Sequence, residues 1–297
     1  MKKVGVFIFL LATFLMNPGV AGTTASRVIE DGGTGEHSAI MMGDGSLPTH
    51  TLFRPENISD LDKKNTLPII VWGNGACHDS PWEHVNFLNE IASHGFLVIA
   101  VGTMPTKEGE QVTEHSASSK LVDAIDWAIA QNSNKDSVYY QKLNPKQIGV
   151  SGMSCGGLQA LEVADDPRTS TLLICNSGIF NDPMPEKLPG IPEVDKTQLK
   201  KIHTPTLYLL GGPSDIAYEN GMNDVERIDH VPVFVGNLDV GHGGTYSQEY
   251  GGEFARVAAA WFKWQLKNDK EAAELFVGDP AGLSQDSEWT FNKKNLL

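Results

Sequence analysis

At 297 residues and 40% hydrophobic content, the chain is long enough to build a sizeable core without relying on metal or disulfide staples. Its formal net charge is −14, from 23 basic against 37 acidic groups. A field of that sign repels nucleic acid and anionic lipid, so neither is expected as a partner.

Lys2 and Lys3 precede the apolar run Val4 to Met16, Asn17-Pro18-Gly19 breaks it, and small residues follow at Val20-Ala21-Gly22. This layout predicts an exported leader over residues 1–22, cleaved near Gly22, and a secreted or periplasmic protein whose residues 23–297 form one domain. A bilayer-spanning helix needs about 20 apolar residues. The leader run is shorter and nothing later matches it, so no span is expected in the mature protein.

The rest of the chain alternates short β-branched runs with longer helical patterns, the rhythm of a mostly parallel sheet covered by helices on both faces. Thr49 to Arg54 reads as an early edge strand and Leu67 to Trp72 as a buried one, followed by the loop Gly73-Asn74-Gly75-Ala76-Cys77-His78. Glu83 to Ser93 is helical, with Val85, Leu88, Ile91 and Ala92 on one face, and Phe96 to Val101 is the next strand. In Ser116 to Asn132, Ala117, Leu121, Ile125 and Ile129 recur every four residues and predict a helix. Strands follow at Gln147 to Val150, Leu172 to Cys175, Thr206 to Leu210 and Val231 to Val235. A last helix over Glu249 to Lys267 would bury Phe254, Val257, Ala258, Trp261 and Phe262. Asp279 to Leu297 has no periodicity, and Trp289 and Phe291 are expected to tether it. Between Cys175 and Thr206 lie Pro183, Pro185, Pro189 and Pro192 and one short helix near Asp195 to Ile202. No large cap domain is expected there, which leaves an open cleft.

Between the strand Gln147 to Val150 and the helical pattern from Leu158 stands Ser151-Gly152-Met153-Ser154-Cys155-Gly156-Gly157. A serine framed as G-x-S-x-G on a strand-to-helix turn is a nucleophile elbow, whose glycines permit a tight, strained turn that exposes the hydroxyl. A serine hydroxyl is a weak nucleophile at neutral pH, so it needs a base, and the base needs an orienting carboxylate. Gly211-Gly212-Pro213-Ser214-Asp215 supplies Asp215 after one strand, and Val240-Gly241-His242-Gly243-Gly244 supplies His242 after the last. The order Ser154, Asp215, His242 is that of the α/β-hydrolase fold. Asp182 and Asp239 are the alternative acids, although Asp239 is close to His242 in sequence. The oxyanion would be held by the backbone N–H of Cys155 and, from the loop after Trp72, that of Ala76, with Gly75 allowing the loop to bend. His78 lies near the cleft without ligand-spaced partners, so no metal is expected.

Of the three cysteines, Cys175 reads as a small core residue. Cys77 and Cys155 fall on two loops that such a fold brings together. A bridge between them would pin the oxyanion loop to the elbow; the alternative is two reduced thiols that merely pack.

From about Pro48 to Leu266 the chain resembles secreted α/β hydrolases of the dienelactone-hydrolase, cutinase-like and polyester-hydrolase group. The Gly-Asn-Gly-Ala loop, the Gly-Met-Ser-Cys-Gly elbow, the Gly-Gly-Pro-Ser-Asp loop and the Gly-His-Gly-Gly loop fall where that group carries its oxyanion loop, nucleophile, acid and base. The resemblance implies hydrolysis of a small-molecule or polymer-linked carboxylic ester through an acyl-enzyme, with no cofactor. The chain departs from it at the elbow: dienelactone hydrolases carry cysteine as nucleophile, whereas here Ser154 stands between Met153 and Cys155. An amidase or peptidase would use the same three residues, and a non-catalytic binding protein of this fold would usually have lost one of them. Matched ester and anilide substrates separate the first pair; covalent labelling of the serine tests the last. Trp72, Met153 and Phe180 suggest an apolar or aromatic acyl group.

Overall fold

A computed structural model describes residues 25–106, 114–182 and 190–296. The leader over residues 1–22 and Pro183, Pro185 and Pro189 lie outside them. Ten strands, among the described residues, form one sheet in the order β1-β2-β3-β5-β4-β6-β7-β8-β9-β10. The first three are β1 (Ser26–Val28), β2 (Ala39–Gly43) and β3 (His50–Pro55), an antiparallel run. The strands β4 (Leu67–Gly73), β5 (Leu97–Val101), β6 (Leu143–Met153), β7 (Thr171–Cys175), β8 (Thr206–Leu210) and β9 (Val233–Leu238) are mutually parallel. Antiparallel β10 (Trp289–Lys294) closes the far edge against β9.

Two apolar layers explain why the central strands read as unbroken hydrophobic runs rather than alternating ones. Along β4, Ile69 and Val71 face one layer, while Ile70 and Trp72 face the other. The first layer receives Leu121, Ile125 and Ala128 of α2 (Ser119–Ser133) and Leu158 and Leu161 of α3 (Cys155–Glu162). The second receives Phe87, Leu88 and Ile91 of α1 (Val85–Ser93) and, from the later helix over Gly252–Lys267, Phe254, Val257, Trp261 and Phe262. Those four side chains are fully buried. Truncating one such aromatic typically costs about 3–5 kcal/mol.

Three elements differ from the sequence expectation. The strand around Thr49 to Arg54 is not an edge: β2 pairs with it through Ile40↔Arg54 and Met41↔Phe53, and β1 lies beyond. The three-residue β1 and five-residue β2 are too short to show a period. The C-terminal tail forms β10, with Trp289 opposite Leu238 and Phe291 opposite Gly236. Trp289 is buried against the second layer, and Lys293 and Lys294 place charge on the exposed edge, a common guard against edge-to-edge pairing. The third element is α4 (Tyr218–Arg227). Asn220, Gly221 and Asn223 give it poor helix propensity. Gly221 is there because a Cβ would meet the Ser177 carbonyl at 2.7 Å and the Leu210 side chain at 2.9 Å.

Candidate active site

The site lies at the C-terminal ends of the parallel strands, where loops leave an open α/β sheet around a crevice. At the end of β6, Ser154 takes φ 54° and ψ −119°, a conformation that costs a residue with a Cβ about 1–3 kcal/mol. The surroundings hold it there: its N–H donates to the Cys175 carbonyl at 2.9 Å, and its carbonyl accepts from Ser177 Oγ at 2.7 Å and from the N–H of Gly157 at 2.9 Å. The strain therefore sits on the serine itself. Neither elbow glycine has a positive φ. They are required by close approach instead, since a Cβ on Gly152 would strike the Gly156 carbonyl and one on Gly156 would strike Gly73.

His242, on the loop after β9, brings Nε2 to 2.9 Å from Ser154 Oγ. Its Nδ1 lies 2.6 Å from Asp215 Oδ1. Asp239 is instead 3.3 Å from the Ser214 hydroxyl, and neither it nor Asp182 meets His242. The Asp215 side chain is fully buried. Burial by itself opposes its charge. Hydrogen bonds from His242, from the N–H groups of Ala217 and Gly211 and from the Asn176 amide outweigh burial and hold the carboxyl below its ordinary range.

Asn176 was not singled out from sequence. It follows β7 with φ 42°, is completely buried, and donates from Nδ2 to Asp215 Oδ2 at 2.8 Å while its Oδ1 accepts from the Tyr246 hydroxyl. Tyr246 packs edge-on against Trp72, His84, Phe87 and Phe254. A chain of hydrogen bonds thus anchors the carboxylate to the aromatic core. Its only sequence signal was an Asn directly after a buried strand.

The oxyanion candidates lie on the same cleft as Ser154. Cys155 opens α3, so its N–H has no acceptor within the helix. In the loop after β4, the neighbouring N–H groups are committed, Cys77 to the Asn74 carbonyl and His78 to that of Gly75, both at 3.1 Å. The bend falls on Ala76 (φ 51°) and Cys77 (φ 54°) and not on Gly75, where a Cβ would come within 2.9 Å of the Met153 sulfur. A disulfide joins Cys77 to Cys155, with Cα atoms 5.1 Å apart, so the bond ties one loop directly to the other. Cys175 remains a free thiol buried in the core, where burial raises its pKa.

The cleft encloses about 410 Å³, and Leu158, Phe180, Ile191 and Ile216 give it an apolar wall. Ile216 is 80% exposed at its rim. Met153 and Phe180 line this cleft, whereas Trp72, fully buried, belongs to the core beneath. Among the described residues, no group of three or more His, Cys, Asp or Glu side chains is placed to hold a metal ion, and no helix is long and apolar enough to cross a membrane.

His84 is buried, its ring edge-on to those of Trp72 and Tyr246. Burial, aided by nearby His78, lowers its pKa from 6.5 to about 3. Below pH 6.5 the unfolded chain takes up a proton that the folded chain refuses. Stability contributed by the neutral imidazole is therefore lost as pH falls from 6.5 towards 3, by about 1.4 kcal/mol per pH unit. Urea denaturation of the wild type and His84→Phe at pH 7, 5.5 and 4.5 should show a shallower acid limb in the variant.

A family model described as PETase, PET hydrolase-like, matches residues 62–293, and the chain belongs to that family, one of ester and polyester hydrolases. No curated protein matches the chain.

Proposed function

We propose that this member of the PET hydrolase-like family is a serine carboxylic-ester hydrolase acting through an acyl-enzyme, with Ser154 as nucleophile, His242 as base and Asp215 as the orienting acid. The relay from Ser154 Oγ to His242 Nε2 at 2.9 Å and from His242 Nδ1 to Asp215 at 2.6 Å supports this most directly. His242 takes the proton as Ser154 Oγ bonds to the ester carbonyl carbon, and Asp215 steadies the imidazolium. The N–H groups of Ala76 and Cys155 receive the developing oxyanion. Such a donor is typically worth about 3–4 kcal/mol of barrier. Collapse breaks the ester C–O bond, and the alcohol leaves with the proton from His242. Water, deprotonated by the same imidazole, then releases the acid.

The apolar wall of the cleft suits an aliphatic or aromatic acyl group, and exposed Ile216 offers a place for more of a polymer chain to rest. The enzyme is exported, residues 1–22 being its leader and residues 23–297 its catalytic domain. The Cys77–Cys155 disulfide fits an oxidising compartment.

A fluorophosphonate probe should label Ser154, and p-nitrophenyl butyrate should be turned over faster than the matched p-nitroanilide. Absence of the adduct on Ser154 would remove the nucleophile assignment, and anilide turnover equal to that of the ester would favour an amidase.

A further inference from the structure

A second cavity, of about 530 Å³, lies against the Ser154 cleft and shares Glu83 and Met153 with it. Its chemistry differs. Where the cleft has Leu158, Phe180, Ile191 and Ile216, the second cavity has Trp82, His84, Tyr246 and Ser247, with the shared Glu83 between them. Two of these groups have hydrogen-bonding capacity to spare. The exposed Glu83 carboxylate accepts nothing from the described residues, and the buried Nδ1 of His84 has no partner. Tyr246 is committed to Asn176, and the Asn86 amide to Glu30 and the carbonyls of Ser247 and Gln248.

Position indicates which part of an ester this cavity would meet. An acyl carbonyl held by Ala76 and Cys155 lies on the cleft, which those two residues line. The departing oxygen must face His242 Nε2 to receive its proton. The loop continuing from His242 supplies Gly243, Tyr246 and Ser247 to the second cavity. We propose that this cavity is the alcohol-side subsite and takes an uncharged, polyhydroxylated alcohol, a saccharide unit, with Trp82 under its C–H face and Glu83 and Ser247 on its hydroxyls. This rests on the serine-hydrolase reading above. A donor-rich alcohol suits an acceptor-only carboxylate. An anionic alcohol would be repelled by Glu83 and by the net charge of −14. A small quaternary ammonium would leave most of 530 Å³ unfilled.

The test uses three butyrates that differ only in alcohol, the 6-O-ester of methyl glucoside, methyl butyrate and butyrylcholine, with the mature wild-type protein, Trp82→Ala and Ser247→Trp. The glucoside ester should have the highest kcat/KM. Each variant should cut its advantage over the methyl ester about ten-fold, mainly through KM, the scale of losing one aromatic contact or blocking the site. Ser247 is exposed, so Ser247→Trp fills the cavity mouth without disturbing the core even if Trp82→Ala folds poorly. Three results overturn the subsite: equal kcat/KM for all three alcohols, preference for the choline ester, or a sugar preference unmoved in both variants. If a fluorophosphonate labels Ser154 and one of these still holds, the subsite alone falls. An unlabelled Ser154 takes the parent reading down with it.

Discussion

Ser154→Ala is expected to lower kcat on p-nitrophenyl butyrate by about 10⁵- to 10⁶-fold, the range found when a triad nucleophile is removed. KM should change little, because the cleft walls and both backbone donors stay in place. Ser154→Gly should be equally inactive but more stable than the wild type by about 1 kcal/mol, since glycine adopts φ 54° without the penalty that a Cβ incurs. Single-turnover kinetics and urea denaturation on the three proteins check both halves. An alanine variant retaining more than a few per cent of turnover would mean that another group attacks the ester. A glycine variant less stable than the wild type would mean that the elbow is not the strained point.

Removing the disulfide, as Cys77→Ala with Cys155→Ala, should cost both stability and rate. The bond spans a sequence separation of 78 residues. Closing a loop of that length in the unfolded chain corresponds to about 4.5 kcal/mol in the chain-entropy account. The catalytic effect has a separate origin. In the proposed mechanism one oxyanion donor is the N–H of Cys155 itself and the other that of Ala76, the neighbour of Cys77, so the sulfur bridge would set their spacing. Loss of that spacing should lower kcat about 10²-fold, the effect of a misplaced or missing oxyanion donor, with KM nearly unchanged. Assays well below the shifted denaturation midpoint separate the two losses. An unchanged kcat would show that packing alone holds the donors.

Much of the architecture is written locally. The runs at Leu67, Leu172 and Thr206 are strands because each is short, apolar and closed by turn residues, and burial on both faces removes any alternation. The helices over Ser119–Ser133 and Gly252–Lys267 follow from a 3.6-residue period. Their order, together with Ser154, Asp215 and His242 following three of the strands in that chain order, was enough for the sequence by itself to determine the fold class and to nominate those three side chains.

What pairs or touches across long separations was decided only in three dimensions. β10 is a strand because β9 offers it an edge, and nothing in Trp289–Lys294 alone requires it. Gly152, Gly156 and Gly221 are glycines because another backbone segment or side chain occupies the space of a Cβ. Asn176 matters through Asp215, 39 residues on, and Tyr246, 70 residues on. Local propensities report on a chain's own dihedrals and on the period of its apolar residues. Close approach, hydrogen bonding between distant loops and the assignment of an edge depend on where the rest of the chain has gone.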